Sequence, residues 1–237
     1  KIQDVVRSKD KLYSVIAHDL RAPIGTLKMI LEAIDHQKER IPDSNIKHLI
    51  KMLQETTDEA YLLLENLLMW SNSQNGVLEP SLQTFSFSEA AKEVVALQEN
   101  IAGAKGIKMH NHLKKVFSVH ADLNMMKTVL RNLLSNAIKF SYKGGEITIN
   151  GEEKDGFLVV SVQDKGQGIS KEHQRDLFAD GLHFISYGTQ KEKGSGLGLQ
   201  LCKDFVKMNH GKIWFNSEEG KGTTFYFSIP VSDKVQN

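Results

Sequence analysis

Ser14-Val15-Ile16-Ala17-His18-Asp19-Leu20-Arg21-Ala22-Pro23 brings a nucleophile, a base and a helix breaker together. A neutral imidazole is nucleophilic near pH 7, and an adjacent carboxylate can orient it and take its proton. Pro23 lacks a backbone donor and crowds the carbonyl four residues back, that of Asp19, so a helix here should kink or loosen beside His18. A His-Asp pair alone reads equally well as a surface pair on a helix. The proline offset favours the chemical reading.

A second stretch, Asn132 to Ser141, spaces Asn132, Asn136 and Lys139 at i, i+4 and i+7, which is one face of a helix. Leu133, Leu134 and Ile138 take the other side. Amide oxygen suits a hard cation and an ammonium suits phosphate, so the stripe can serve a metal and phosphates. The alternative is a solvated helix face. Two asparagines in mid-helix, both poor helix formers, weigh against it.

Two glycine motifs follow. Asp164-Lys165-Gly166-Gln167-Gly168 ends an apolar strand. Its carboxylate can accept from an amino group such as that of adenine, and its glycines admit close backbone approach. Aspartate and glycine are also ordinary turn residues. Gly194-Ser195-Gly196-Leu197-Gly198 opens a helix, where exposed amides bind phosphate. It lacks the G-x-G-x-x-G spacing and follows a loop, so a dinucleotide-binding reading is poor. The long polar stretch between, Ile169 to Lys193, reads as a functional loop, with a lid as the obvious candidate.

The elements that must position these groups can be read from periodicity. Leu12, Val15, Ile16, Ala22, Leu27, Ile30, Leu31 and Ile34 recur at helical spacing, and Pro42 stops that pattern. Ile46 to Leu68 repeats it, with Asp43 or Ser44 as N-cap. The two form a hairpin that cannot close a core alone, which implies a homodimeric four-helix bundle. Ser73 to Pro80 reads as a linker region. Beyond it, strands are expected at Gln83–Phe87, Ile107–Leu113, Val116–Val119, Glu146–Asn150, Phe157–Gln163, Lys212–Asn216 and Thr223–Ile229. Helices are expected at Ser88–Ala104, Leu123–Phe140 and Leu199–Met208. The fold class is therefore α + α/β in two layers: a helical hairpin, then an α+β sandwich. The expected domains are 1–75 and 81–237, joined by a linker over 76–80.

The 237 residues are 40% apolar and 25% charged, with a net charge of +1. So small a basic excess argues against nucleic acid as the main partner. Cys202, the lone cysteine, falls in an apolar helical run and reads as a buried thiol. No apolar run reaches the roughly 20 residues of a membrane helix. A chain opening at Lys1, directly on a helical pattern, is expected to be a piece of a longer cytoplasmic protein. Any membrane anchor would lie in a missing upstream segment.

Together, the motifs resemble the sensor histidine kinases over residues 10–230 or so: an H box at His18, an N box at Asn132–Phe140, a G1 box at Asp164–Gly168, a lid with an F box near Phe178, and a G2 box at Gly194–Gly198. Gly220–Phe225 resembles the closing glycine-threonine strand of that family. The resemblance implies an ATP-binding domain of the gyrase and heat-shock 90 type, with ATP and Mg2+. It implies that His18 accepts phosphate with Asp19 as base, and that Asn136 holds magnesium beside Asn132 and Lys139. It further implies that Phe140, Asp164, Gly166, Gly168, Gly194, Gly196, Leu197, Gly198 and Thr224 contact the nucleotide. A response-regulator receiver domain is the implied partner, and two-component signalling the implied role. ATPases of this superfamily carry a glutamate near Asn132; Arg131-Asn132 lacks it, which favours transfer to His18 over water. Two features depart from the family. The F box lacks its second aromatic. Ala22 replaces the Thr or Asn four residues past the histidine, which speaks against phosphatase activity. The rival readings are a non-catalytic dimeric ATP-binding module and a serine kinase of the same superfamily.

Overall fold

The structure is a computed structural model that describes residues 23–35, 43–74, 78–178, 188–189 and 197–232. His18, Asp19, Ala22, Gly194 and Gly196 lie outside the described residues, as does the expected loosening beside His18. The chain divides into two compact units, Lys1–Asn75 and Gly76–Asn237.

The described part of the first unit is two helices. α1 covers residues 23–35 and α2 covers Asp43–Gln74. α2 has 32 residues, about 48 Å at 1.5 Å per residue. It begins just after Pro42, where a helix cannot extend backwards easily, and continues to Gln74, into the stretch expected to start the linker. Ile30 of α1 is buried, whereas Ile24, Met29 and Leu31 of α1 and Ile50, Leu64 and Leu68 of α2 are exposed. Among the described residues no helix is long and apolar enough to cross a membrane.

The second unit runs β1 (Leu82–Ser86), α3 (Phe87–Ala104), β2 (Lys108–Asn111), β3 (Ser118–Asp122), α4 (Leu123–Phe140), β4 (Glu146–Lys154), β5 (Phe157–Asp164), α5 (Lys171–Gln174), α6 (Leu197–Met208), β6 (Ile213–Glu218) and β7 (Gly222–Pro230). Five strands form one sheet in the order β2-β4-β5-β7-β6, and β1 and β3 form a small second sheet. Among the described strands only β2 and β4 pair in parallel. The two sheets meet at the antiparallel bridge between Val119 and Val231.

Side chains alternate along a strand, so one face of the large sheet is apolar. Ile147 and Ile149 of β4, Leu158, Val160 and Val162 of β5, and Phe225, Phe227 and Ile229 of β7 are buried. Against them lie Val94 and Val95 of α3, Met126, Leu130, Leu133 and Leu134 of α4, and Leu201 and Phe205 of α6. The helix layer on one sheet is as the alternation predicts. Cys202 is fully buried, its thiol pushed far up by burial, so it is an inert packing residue.

Local chemistry fixes the element ends. Asp155 and Gly156, with φ 52° and 78°, make the two-residue turn between β4 and β5. An Asp-Gly pair tolerates positive φ at both positions, the requirement of a tight hairpin. β4 therefore runs to Lys154, four residues past its expected end. Ser86 caps α3 by accepting from the Glu89 amide, and Asp122 caps α4 by accepting from the Met125 amide at 2.9 Å. β3 lies at Ser118–Asp122 rather than Val116–Val119, because Val116 is exposed and the pairing with β1 begins at Ser118.

Candidate functional site

α4 is the platform. Its N-terminus is held twice more through Asp122: the Ser81 amide donates to Oδ2 at 2.8 Å, and the Asp122 amide donates to Asn209 Oδ1 at 2.6 Å. The polar stripe is not a solvated face. Asn132 is buried, with its Nδ2 donating to Thr128 O at 3.0 Å, while Asn136 and Lys139 are half-buried. The Lys139 Nζ lies 5.3 Å from the centre of the Phe140 ring. No partner for the Asn136 amide is found among the described residues.

α6 packs closely against this stripe at Gly198. A Cβ there would meet Asn132 Oδ1 at 2.8 Å. Glycine inside a helix costs about 1 kcal/mol relative to alanine, and here it gives α6 room beside Asn132. The helix starts at Leu197, two residues before the expected start, so Leu197 and Gly198 are its first described residues.

Asp164 ends β5 and is buried. Its Oδ1 accepts from the Gly166 amide at 2.9 Å and the Thr223 amide at 3.3 Å. Burial pushes the carboxyl up to about 6, against the two backbone donors that favour the ionised form. No donor to Oδ2 is found among the described residues, which leaves that oxygen open to an amino group. Gly166 sits against the end of α4: a Cβ there would lie 2.1 Å from Phe140 O. The Gln167 amide donates to that same carbonyl at 3.1 Å, which ties the Asp164 turn to α4.

The closing strand sets its two threonines apart. Thr224 pairs opposite Gln163 and is half-buried, whereas Thr223 is buried and its amide reaches Asp164. Side chains of successive strand residues face opposite ways, so Thr223 and not Thr224 stands on the Asp164 side. Counting alternation back from Phe225 and Phe227 would have shown it in the sequence. The start of the stretch expected to form a lid is also anchored. α5 is one short turn, capped by Ser170 and absent from the expected elements. Phe178 packs on Phe215 at 5.8 Å, and Lys203 Nζ donates to Phe178 O at 2.9 Å. Thr189, which no motif marked, donates from its hydroxyl to Ser141 O at 2.7 Å.

The residues fit a purine nucleotide and a hard cation. Asp164 offers an open acceptor, and Lys139 and Asn136 offer an ammonium and an amide oxygen along one half-buried face. Among the described residues no cluster of His, Cys, Asp or Glu could hold a metal unaided. A cation here would depend on amide and phosphate oxygens, hard donors that suit magnesium.

Residues 121–233 match the family of histidine kinase-, DNA gyrase B- and HSP90-like ATPases. The adaptive-response sensory kinase SasA of Crocosphaera subtropica is 31% identical over 97% of this chain and 61% of its own length. The nucleotide-free catalytic domain of the histidine kinase ThkA is 31% identical over 63% of this chain and 95% of that one, with a TM-score of 0.54. ThkA in complex with the response regulator protein TrrA is 25% identical over 98% of this chain and 64% of that one, with a TM-score of 0.69. The unit Gly76–Asn237 is thus an ATP-binding α/β sandwich of the gyrase, HSP90 and histidine kinase type. The chain belongs to the sensor histidine kinases. It spans about three fifths of the length of the curated SasA relatives it matches.

Proposed function

We propose that this chain is an ATP-dependent protein-histidine kinase that phosphorylates His18 and passes the phosphoryl group to a response-regulator aspartate. The observation that carries the reading is Asp164: a buried carboxylate with one oxygen held by two backbone amides, the other open, and its turn tied to the polar face of α4. A carboxylate so placed discriminates adenine by its exocyclic amino group. Gly166 and Gly168 shape that pocket, and Phe140 lies beside it. Gly194 and Gly196, which precede α6 in the sequence, and Leu197 and Gly198 in its first turn would offer amides to the phosphates.

Asn136 would hold Mg2+, with Asn132 and Lys139 beside the phosphates. Magnesium supplies neutralisation of the charge shared by the terminal phosphates. The imidazole lone pair of His18 attacks the γ-phosphorus of ATP, the bond to the bridging oxygen breaks, ADP leaves, and the imidazole proton passes to Asp19. The phosphohistidine then gives its phosphoryl group to the carboxylate of a receiver domain. The complex of the relative ThkA with a response regulator supports that partner.

In this reading Lys1–Asn75 is a phosphotransfer and dimerisation domain. Exposed Ile50, Leu64 and Leu68 on α2 support a homodimer that covers them. The requirement for ATP sets the chain in the cytoplasm. Ala22 has no group to orient water one turn past His18, so kinase activity should exceed phosphatase activity. The test is incubation with Mg2+ and γ-labelled ATP. Acid-labile, base-stable label that disappears in His18→Gln supports the reading. Acid-stable label would point to a serine kinase, and bound ATP without any label to a non-catalytic module.

A further inference from the structure

Lys105 is the C-cap residue of α3 and is only 7% exposed. A lysine is almost never so buried unless its ammonium is paired. Here Nζ donates to two carbonyls of another helix, Ile138 O at 3.0 Å and Lys139 O at 2.9 Å.

Those carbonyls belong to the last turn of α4. A helix leaves its final four carbonyls without intrahelical partners. In α4 these are Ala137, Ile138, Lys139 and Phe140, and each is taken. Ala137 O accepts from the Ser141 amide at 3.0 Å, and Phe140 O from the Gln167 amide at 3.1 Å. Lys139 O also accepts from the amide and the hydroxyl of Thr189, at 3.2 and 3.3 Å. Of these donors only the Lys105 ammonium is charged. A cation at this position also meets the negative end of the helix dipole. Charge-assisted bonds are about twice as strong as neutral ones.

The turn that Lys105 closes is the one that presents Lys139 and Phe140, and Asn136 lies one turn before it. Helix ends fray when their carbonyls lack partners, and fraying here would move these side chains together. We propose that Lys105 is a positioning residue of the nucleotide site: its ammonium locks the last turn of α4 and thereby sets Lys139 for the phosphates of ATP. The inference rests on the nucleotide reading of that site. The effect of Lys105 should fall more on the phosphate half of the site than on the Asp164 half, since the Asp164 carboxylate is held directly by Gly166 and Thr223 and its turn meets α4 through the Phe140 carbonyl.

Three measurements on the full chain test it: calorimetric titration with Mg-ATP, ligand-observed NMR titration with adenosine, and thermal unfolding without ligand. Lys105→Met should weaken Mg-ATP binding about tenfold, the scale of one lost charge-assisted hydrogen bond, and change adenosine affinity less than about twofold. Lys105→Arg should recover most of the loss, because it restores a cation with N–H donors. A wild-type protein that binds neither ligand overturns the nucleotide site and this inference with it. A wild type that binds Mg-ATP alongside a Lys105→Met variant that binds it equally well overturns the role of Lys105 and leaves the site standing. Equal losses for Mg-ATP and adenosine, unrelieved by arginine, would reduce Lys105 to a structural residue and also overturn it. If Lys105→Met does not fold, Lys105→Gln is read by the same criteria, since it keeps an N–H donor without the charge.

Discussion

The two units handle their apolar residues differently. In Gly76–Asn237 the large side chains Phe87, Phe205, Phe227 and Met126 are under 2% exposed. In Lys1–Asn75, Met29 remains 63% exposed, Leu31 57%, Leu68 55% and Leu64 42%. The first pattern is that of a domain that buries its own core around a sheet. The second is that of helices whose apolar face awaits a second surface. A self-sufficient unit can hold a preformed ligand site, whereas a unit completed by association can couple its chemistry to assembly. The proposed division follows this contrast, with the nucleotide on the self-contained unit and the phosphorylated histidine on the associating one.

The largest effect that would sharpen the contrast is Phe227→Ala. Phe227 is fully buried on β7 and packs edge-on against Phe87 at 5.9 Å. Its removal should destabilise the Gly76–Asn237 unit by about 3–5 kcal/mol, measured by denaturant unfolding of that unit. A loss under about 1 kcal/mol would mean that this core is far looser than its burial indicates.

Next comes Asp164. Asp164→Asn should weaken ATP binding about tenfold at neutral pH, through loss of an ionised acceptor. Wild-type affinity should rise as pH climbs through about 6, and that rise should be absent from the variant. A pH profile shared by both would assign the titration to another group. Stability carries the opposite sign. Burial lifts the carboxyl from 3.8 to about 6, so between those values the folded unit holds a proton that the unfolded chain has released. The contribution is present below the unfolded value and is lost as pH rises through about 6.

On the other side of the comparison, Leu64→Asp should leave ATP affinity unchanged and weaken self-association of residues 1–75, read by sedimentation. Stronger association, or a change confined to ATP binding, would contradict a self-association role for the exposed face of α2. The smallest effect is Thr224→Ala, which should change ATP affinity by less than about 0.5 kcal/mol. Thr223→Ala should cost more, since Thr223 is buried and its hydroxyl lies 2.8 Å from Ser217 Oγ.

Legibility in the sequence followed the range of the interaction only in part. The i, i+4, i+7 stripe on α4 is a local rule and was readable, whereas the caps at Ser86 and Asp122, equally local, went unmarked. Thr223 was legible too, had strand alternation been applied to both threonines. Lys105 was not, because nothing near it in the chain marks it: its partners lie 33 and 34 residues away. The start of α6 was misplaced for a related reason. A glycine motif reads as loop until Asn132, on another helix, supplies the reason for a glycine inside the first turn.

The division of labour between the units is tested most directly by expressing residues 1–75 and 76–237 separately and mixing them with Mg2+ and γ-labelled ATP. With the work divided in this way, acid-labile label appears on the 1–75 piece alone, at His18, and only when both pieces are present. Label on the 76–237 piece, or an unlabelled 1–75 piece beside a partner shown to bind ATP, would contradict it.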